Sequence, residues 1–206
     1  MKLPSKGLYA ITQTENKSAE TVIQQVAAAI RGGAVIVQYR DKQPADAMAL
    51  GHALLALCRS HKVPLIINDS IDLAAQLHAD GVHLGREDGL IAKARERLGD
   101  TAIIGVSCYN DLERAKAAEQ EGADYVAFGR FFPSNSKPLA APAELDTLRL
   151  AKQQLTIPIV AIGGILPENG HQLVQAGADF LAVIGGLFDH EPEQAARTYQ
   201  ALFESV

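Results

Sequence analysis

Three polar residues at the end of one apolar segment are the first sign of chemistry in this chain. Gln38, Arg40 and Lys42 follow the short β-branched run that includes Val35 and Val37. A strand places alternate residues on one face. If the strand persists to Lys42, one amide and two cations share a face, and the two valines cover the other. Like charges on one strand face repel, so the spacing indicates a bound polyanion, with phosphate as the first choice. A polar strand end in water is the alternative.

The bulk composition excludes several classes of protein. The chain has 206 residues, 48% of them hydrophobic, and a formal net charge of -5. An acidic chain without a basic stripe binds nucleic acid poorly, and no apolar stretch approaches the roughly 20 residues of a membrane span. Cys58 and Cys108 lack metal or disulfide spacing, and the N-terminus lacks an apolar signal segment. We therefore expect a soluble, cytoplasmic protein without nucleic-acid or membrane partners.

Eight apolar segments alternate with segments of helical periodicity along the whole chain. This pattern predicts a single (β/α)8 TIM barrel, an α/β fold, as one domain over residues 1–206. A doubly wound open sheet is the alternative, but no glycine-rich dinucleotide fingerprint follows the first strand. The second helix is predicted from about Pro44, with that proline in its first turn, and Ser18 is predicted to cap the first helix.

Carboxylates follow the third and fourth predicted strands. In a barrel the chemistry lies at the carboxyl ends of the strands. Asn68 and Asp69 end the third strand, and Asp88 follows the fourth. Two carboxylates on neighbouring strands suit Mg2+, which also takes substrate phosphate oxygens. Helix capping is the alternative for each of them. His83, within the fourth strand, is interpreted as a satisfied core histidine rather than a catalytic one.

Two glycine pairs and one polar loop offer places for a second anion. Gly163-Gly164 and Gly185-Gly186 follow the seventh and eighth predicted strands, where barrels often hold phosphate on backbone N–H groups. Ordinary tight turns are the alternative. The loop after the sixth strand carries Ser134, Ser136 and Lys137, which either grip an anion or lie exposed. From the residues alone, the chain is an α/β barrel that binds a diphosphate and a monophosphate.

Six segments, in order along the chain, resemble the thiamine-phosphate synthase family. They are QYRDK at 38–42, ND at 68–69, VHLGRED at 82–88, GVS at 105–107, FGRFFPSNSK at 128–137 and AIGGI at 161–165. The resemblance implies a transferase of thiamine biosynthesis with Mg2+ as cofactor and small phosphorylated substrates. Such an enzyme joins 4-amino-5-hydroxymethyl-2-methylpyrimidine diphosphate to 4-methyl-5-(2-hydroxyethyl)thiazole phosphate and releases pyrophosphate. A homo-oligomer is compatible with the resemblance.

The same resemblance implies roles for individual residues. Metal ligands would be Asp69 and Asp88, and the catalytic residues Arg40, Lys42, Ser107 and Lys137. Substrate would be bound by Gln38, Tyr39, Arg40, Asp41, Lys42, Asn68, Ser107, Ser134, Asn135, Ser136, Lys137, Gly164, Ile184 and Gly185. Within this set, Ser107 would contact the pyrimidine and Lys137 its pyrophosphate. Residues 134–136 would line the thiazole phosphate site. Gly164, Ile184 and Gly185 would contact this phosphate through their backbone.

Three positions depart from the usual pattern of the family. Ser134 and Ser136 stand where threonines are common, and Gly185 stands where a serine is usual. The lost hydroxyl at Gly185 predicts somewhat weaker binding of the thiazole phosphate. Three other interpretations remain: a thiazole tautomerase-like barrel, a phosphate-binding isomerase of the tryptophan-pathway kind, and a non-catalytic binder of phosphate ligands.

Overall fold

Eight parallel strands close into a barrel in the order of the chain. The structure is a computed structural model, and it describes residues 1–85, 90–133 and 142–204. Each strand pairs in parallel with the next, and the last pairs with the first. Helices alternate with the strands. The predicted (β/α)8 barrel is confirmed, and the open doubly wound sheet is wrong.

The elements lie close to the segments that the sequence pattern predicts. The strands are Gly7–Ile11 (β1), Ala34–Tyr39 (β2), Leu65–Asn68 (β3), Gly81–Leu84 (β4), Ile103–Tyr109 (β5), Tyr125–Gly129 (β6), Ile159–Ile162 (β7) and Phe180–Val183 (β8). The helices are Ala19–Arg31 (α1), Ala47–Ser60 (α2), Ile71–Leu77 (α3), Leu90–Leu98 (α4), Leu112–Gln120 (α5), Leu145–Gln154 (α6), Pro167–Gln175 (α7), Gly185–Phe188 (α8) and Pro192–Ala201 (α9). In the described part of the chain, no helix has the length and apolarity needed to cross a membrane.

The first two helices begin where a side chain satisfies a backbone N–H group of the first turn. Ser18 accepts a hydrogen bond from Thr21 N, which confirms it as the cap of α1. The prediction that α2 begins near Pro44 is wrong. Asp46 accepts from Ala49 N instead, so the helix begins at the following residue. The Asp46 carboxylate can accept a hydrogen bond from a backbone N–H group of the first turn, whereas the side chain of a proline has no acceptor.

Two hydrophobic clusters divide the core. The outer cluster fills the space between strands and helices, and the inner cluster fills the barrel. On β2, Ile36 belongs to the inner cluster and Val37 to the outer one, as strand alternation requires. The prediction that Val35 and Val37 share a face is wrong, because Val35 packs against the inner cluster. The β1–β2 register shifts beside it: Leu8 pairs with Ala34, but the next residue pairs with Ile36.

Candidate active site

The end of β2 delivers one buried amide and two cations to the barrel mouth. Gln38 lies inside the barrel, 3% exposed, and its Nε2 donates to the hydroxyl of Tyr9 at 2.9 Å. The strand ends before Arg40, so Lys42 lies in an exposed loop rather than on the strand face. Arg40 is fixed through its backbone: its N donates to Thr12 Oγ1, and that hydroxyl donates to Arg40 O, both at 2.9 Å. The cations are therefore presented by a loop whose base is anchored to Thr12, the residue that follows β1.

Tyr39 and Asp41, which were predicted to bind substrate, do not point their side chains into the barrel mouth as Gln38 does. The side chain of Tyr39 lies in the outer cluster, and its buried hydroxyl has no hydrogen-bond partner among the described residues. Burial, together with the carboxylates of Asp41 and Asp46, raises the pKa of Tyr39 to about 12. Asp41 accepts a hydrogen bond from Gln43 N at 3.0 Å, which closes the loop on itself. A ligand in the barrel mouth is therefore offered the backbone of Tyr39 rather than its ring.

Asp69 presents an exposed carboxylate at the end of β3. Its φ of +61° lies in the left-handed region, which aspartate tolerates better than most residues. Its N donates to His83 O at 2.8 Å, and Asn68 Nδ2 donates to Asp69 Oδ2 at 2.7 Å. The capping alternative is wrong for both residues, because Ser70 Oγ accepts from Leu73 N and begins α3. Asp69 is left available at the rim.

The donor set at this part of the rim fits Mg2+ shared with a substrate. Asp88 lies outside the described residues. Gly85, three residues earlier in the sequence, lies near Asp69, since a Cβ at Gly85 would lie 3.8 Å from Asp69 Oδ1. Within the described ranges, no group of three His, Cys, Asp or Glu could hold a metal. Mg2+ needs only one or two carboxylates when phosphate oxygens and waters complete its shell. A substrate-shared ion is compatible with this rim, whereas the described residues alone offer no all-protein cage.

Ser107 reaches the barrel mouth from β5 and is tied to His83. Its Oγ lies 2.9 Å from His83 Nε2, and His83 Nδ1 lies 3.0 Å from the hydroxyl of Tyr125. The Tyr125 and Tyr9 hydroxyls are 2.8 Å apart. Both nitrogens of the histidine are therefore hydrogen-bonded, in agreement with its interpretation as a satisfied core residue. The two tyrosines were missed from the sequence, although each stands at an inner-face position of its strand.

The glycine turn after β7 is shaped by close approach of backbone. Gly164 has a φ of +64°, and a Cβ there would come within 2.3 Å of Pro133 O. Asn169 Nδ2 donates to Gly164 O at 3.1 Å, which ties the turn to α7. The turn therefore sits directly against the loop that leads from β6. That loop carries Ser134, Asn135, Ser136 and Lys137, which lie outside the described residues.

The glycines after β8 begin the short helix α8, which the sequence pattern did not predict. A Cβ at Gly186 would lie 2.7 Å from Ile165 O, so the turns after β7 and β8 pack against each other. Tyr199 of α9 stabilises this contact, because its hydroxyl donates a hydrogen bond to Ile165 O at 3.0 Å. Ile184, just before α8, packs against the inner cluster. The two glycine turns therefore form one continuous backbone surface.

Gly185 has an acidic neighbour. A Cβ at this position would lie 2.7 Å from Asp189 Oδ2, and the other oxygen of Asp189 accepts from Gln13 Nε2 at 2.9 Å. A serine, which the resemblance described above leads us to expect here, would press against this carboxylate. The position where this chain has glycine instead of serine is therefore also the position that the Asp189 carboxylate approaches.

The closed barrel and its polar rim define a (β/α)8 barrel with a candidate active site at the carboxyl ends of its strands. Comparison with known proteins narrows this class. Residues 8–187 match the family model described as thiamine monophosphate synthase. The chain therefore belongs to the thiamine monophosphate synthase family, as the six motifs predicted, and it is a transferase that forms thiamine phosphate.

Individual relatives agree along the whole chain. It is 51% identical to a thiamine-phosphate synthase of Nitrosococcus oceani over 203 residues, covering 97% of this chain and 94% of the relative. Identity is 50% over 208 residues to that of Methylococcus capsulatus, covering 100% and 92%. Among solved structures, a thiamine phosphate pyrophosphorylase from Pyrococcus furiosus superposes with a TM-score of 0.87 at 33% identity, covering 98% of this chain and 96% of that one.

Proposed function

We propose that one mouth of this barrel binds both substrates of thiamine-phosphate synthesis through two separate anion sites. One site is formed by the loop of Arg40 and Lys42 with the carboxylate of Asp69. The other is the joined backbone surface of the glycine turns after β7 and β8. The observation that supports the proposal is that the loop of Arg40 and Lys42 and the joined glycine turns lie on one rim, because the reaction brings together a diphosphate and a monophosphate.

The cationic site is proposed to hold the pyrimidine diphosphate. Arg40 and Lys42 would neutralise its oxygens, and Asn68 would donate a hydrogen bond. Mg2+, held by Asp69 and Asp88, would supply further neutralisation of the leaving pyrophosphate. Lys137 is proposed to reach the same leaving group from the loop after β6. All of these groups act where negative charge grows during bond breaking, which is where fixed charges lower the barrier most.

Bond breaking and bond making need no general base in this scheme. The carbon–oxygen bond to the diphosphate breaks, and its electron pair leaves with pyrophosphate. The amino group of the pyrimidine stabilises the resulting cation, and the lone pair of the thiazole nitrogen captures it. The chain has to position the two rings and exclude water. This agrees with His83, whose ring nitrogens are both hydrogen-bonded inside the barrel.

The thiazole phosphate is proposed to rest on the glycine turns. Backbone N–H groups of Gly164, Ile184 and Gly185 would contact its oxygens, and residues 134–136 would line the same site. Glycine permits this because the absence of a Cβ lets an anion approach the backbone. The contact between Gly164 and Pro133 links the turn to the loop that carries residues 134–137. Binding of the thiazole phosphate would therefore engage both segments.

The test is direct synthesis with purified components. The protein is incubated with both substrates, with and without Mg2+, and thiamine phosphate is followed by fluorescence after oxidation. We expect product only when Mg2+ is present. Absence of product from verified substrates would refute the proposed function. Full activity after removal of divalent ions would refute the Mg2+ site alone and leave the synthase reaction standing.

We also propose the cytoplasm as the place of this reaction, with small phosphorylated molecules as the partners. Cys58 and Cys108 are both free and buried, which fits a reducing compartment. The net charge of -5 disfavours binding to nucleic acid or anionic lipid. Cell fractionation with an antibody to the chain tests the compartment, and recovery with the membrane fraction would contradict it.

A further inference from the structure

A continuous line of hydrogen-bonded side chains crosses the inside of the barrel. It runs from Gln38 through Tyr9, Tyr125 and His83 to Ser107, with successive distances of 2.9, 2.8, 3.0 and 2.9 Å. The five residues come from five different strands, and both tyrosines are fully buried. The two ends of the line are residues assigned above to the substrate site. The three residues between them have no role in the proposed function so far.

Packing holds the middle of the line in one arrangement. The ring of Tyr125 meets that of Tyr9 edge to face at 5.9 Å and stacks on His83 at 5.6 Å. A Cβ at Gly105 would lie 1.9 Å from Tyr125 Cζ, so this ring fills space that only glycine leaves open on β5. The rings are therefore fixed by their neighbours, so packing sets which oxygen and nitrogen atoms face each other along the line.

The orientation of the Gln38 amide, with Nε2 towards Tyr9, then sets the direction of every bond in the line, because each hydroxyl has one proton to give. Gln38 Nε2 donates to the Tyr9 hydroxyl, so that hydroxyl gives its single proton to Tyr125. Tyr125 in turn gives its proton to His83 Nδ1, and Nε2 must carry the histidine proton. Nε2–H donates to Ser107 Oγ, which leaves the serine proton for a ligand. Burial raises the pKa of both tyrosines, which keeps each of them protonated.

We propose that this line is a one-directional chain of donors that presets both ends of the pyrimidine site. Its direction leaves Gln38 Oε1 as an acceptor and the Ser107 hydroxyl as a donor. Tyr9, Tyr125 and His83 are positioning residues for the reaction. The inference rests on the proposed function, because the pyrimidine has an amino group to donate and ring nitrogens to accept.

The direction matters for the rate as well as for binding. The amino group of the pyrimidine becomes electron-poor as it stabilises the cation, and a carbonyl acceptor beside it stabilises that charge. A line running the other way would turn an amide N–H of Gln38 towards the same group. It would also make the Ser107 hydroxyl an acceptor and place the histidine proton on Nδ1. The position of one proton on His83 therefore reports the direction of the whole line.

The first experiment reads that proton in the unmodified protein. Long-range 1H–15N correlation spectra of the ligand-free, 15N-labelled chain at neutral pH identify the protonated nitrogen of each histidine. His83 is assigned by the loss of its signals in His83→Gln. We expect a neutral ring with the proton on Nε2. A proton on Nδ1, or on both nitrogens, would overturn the proposal.

The second experiment interrupts the line at its centre. Tyr125→Phe removes the donor to His83 Nδ1, and we expect the KM for the pyrimidine diphosphate to rise about tenfold, as for one lost buried hydrogen bond. We also expect kcat to fall, the KM for thiazole phosphate to stay within about twofold, and the Nε2–H population of His83 to decrease. An unchanged tautomer together with unchanged kinetics would overturn the proposal.

Tyr199→Phe is the matched control, since it removes another buried tyrosine hydroxyl on the side of the glycine turns. It should leave the His83 tautomer and the KM for pyrimidine diphosphate as they are. Equal effects of Tyr125→Phe and Tyr199→Phe on that KM would show a general loss of packing and would refute the positioning role. If the unmodified chain makes no thiamine phosphate, the proposed function fails while the tautomer still decides the direction. If product forms but the proton is on Nδ1, only the donor chain fails.

Discussion

Replacement of Gly164 by alanine tests how the glycine turn after β7, which is proposed to bind the thiazole phosphate, is built. The new Cβ would lie 2.3 Å from Pro133 O and 2.8 Å from Phe132 O. Both neighbours are backbone oxygens, so neither can rotate away as a flexible side chain does. The residue also has a φ of +64°, which an L-residue with a Cβ adopts at a cost. Gly164→Ala must therefore shift either the turn or the loop after β6.

Gly99→Ala separates the two contributions. Gly99 has a φ of +85°, and a Cβ there would meet nothing within 4 Å. We expect this control to lose only the conformational term, about 1–2 kcal/mol of unfolding free energy. Gly164→Ala should lose a further 1–3 kcal/mol or so, the range typical of overpacked positions. The difference between the two variants then measures the close approach alone.

Urea unfolding and steady-state kinetics together provide the assay. We expect Gly164→Ala to raise the KM for thiazole phosphate by about tenfold or more, which corresponds to roughly 1.4 kcal/mol of lost binding. The KM for the pyrimidine diphosphate should change by less than about threefold, because it depends on the other anion site. Gly99→Ala lies away from the rim loops and should change neither constant.

Two results would refute this reasoning. Equal losses of unfolding free energy in Gly164→Ala and Gly99→Ala would show that the turn has room for a side chain. Equal increases in KM for both substrates would show that the turn does not belong to the thiazole phosphate in particular.

Three further predictions follow from the rim and the core. Asp69→Asn should raise the Mg2+ concentration for half-maximal rate by at least about tenfold. Asp72, an exposed carboxylate on α3, provides the control, and Asp72→Asn should leave that concentration unchanged. Equal Mg2+ requirements of the two variants would contradict the metal role of Asp69. Burial raises the pKa of Cys58 and of Cys108 to about 12, so both thiols should resist a disulfide reagent at pH 8 until urea is added. Fast labelling of the folded chain would contradict this protection of the thiols. Because unfolded thiols ionise above about pH 8.5, the stability that the neutral, buried thiols contribute should be lost as the pH rises from there to about 12. Gly185→Ser should lower the KM for thiazole phosphate roughly threefold through one added hydrogen bond, once the flexible carboxylate of Asp189 moves aside for the new Cβ. An unchanged KM would count against the predicted effect of this departure.

The barrel itself could be predicted from the sequence because its signals are local. Each strand is a short apolar segment, each helix has its own periodicity, and strict alternation of the two restricts the topology to very few folds. Position at a strand end was also sufficient to find Asp69 and Ser107, since parallel strands deliver their carboxyl ends to one rim. Residue type and order along the chain thus carry the fold and much of the candidate site.

Only the tertiary structure decided which side chains meet across the barrel. Tyr9 and Tyr125 are separated by 116 residues, yet their hydroxyls are 2.8 Å apart. No pattern within one strand predicts that contact. In the same way, the need for glycine at position 164 comes from Pro133, a residue of another loop. Closure of the barrel creates these contacts, because it brings together residues whose separation in sequence hides their proximity.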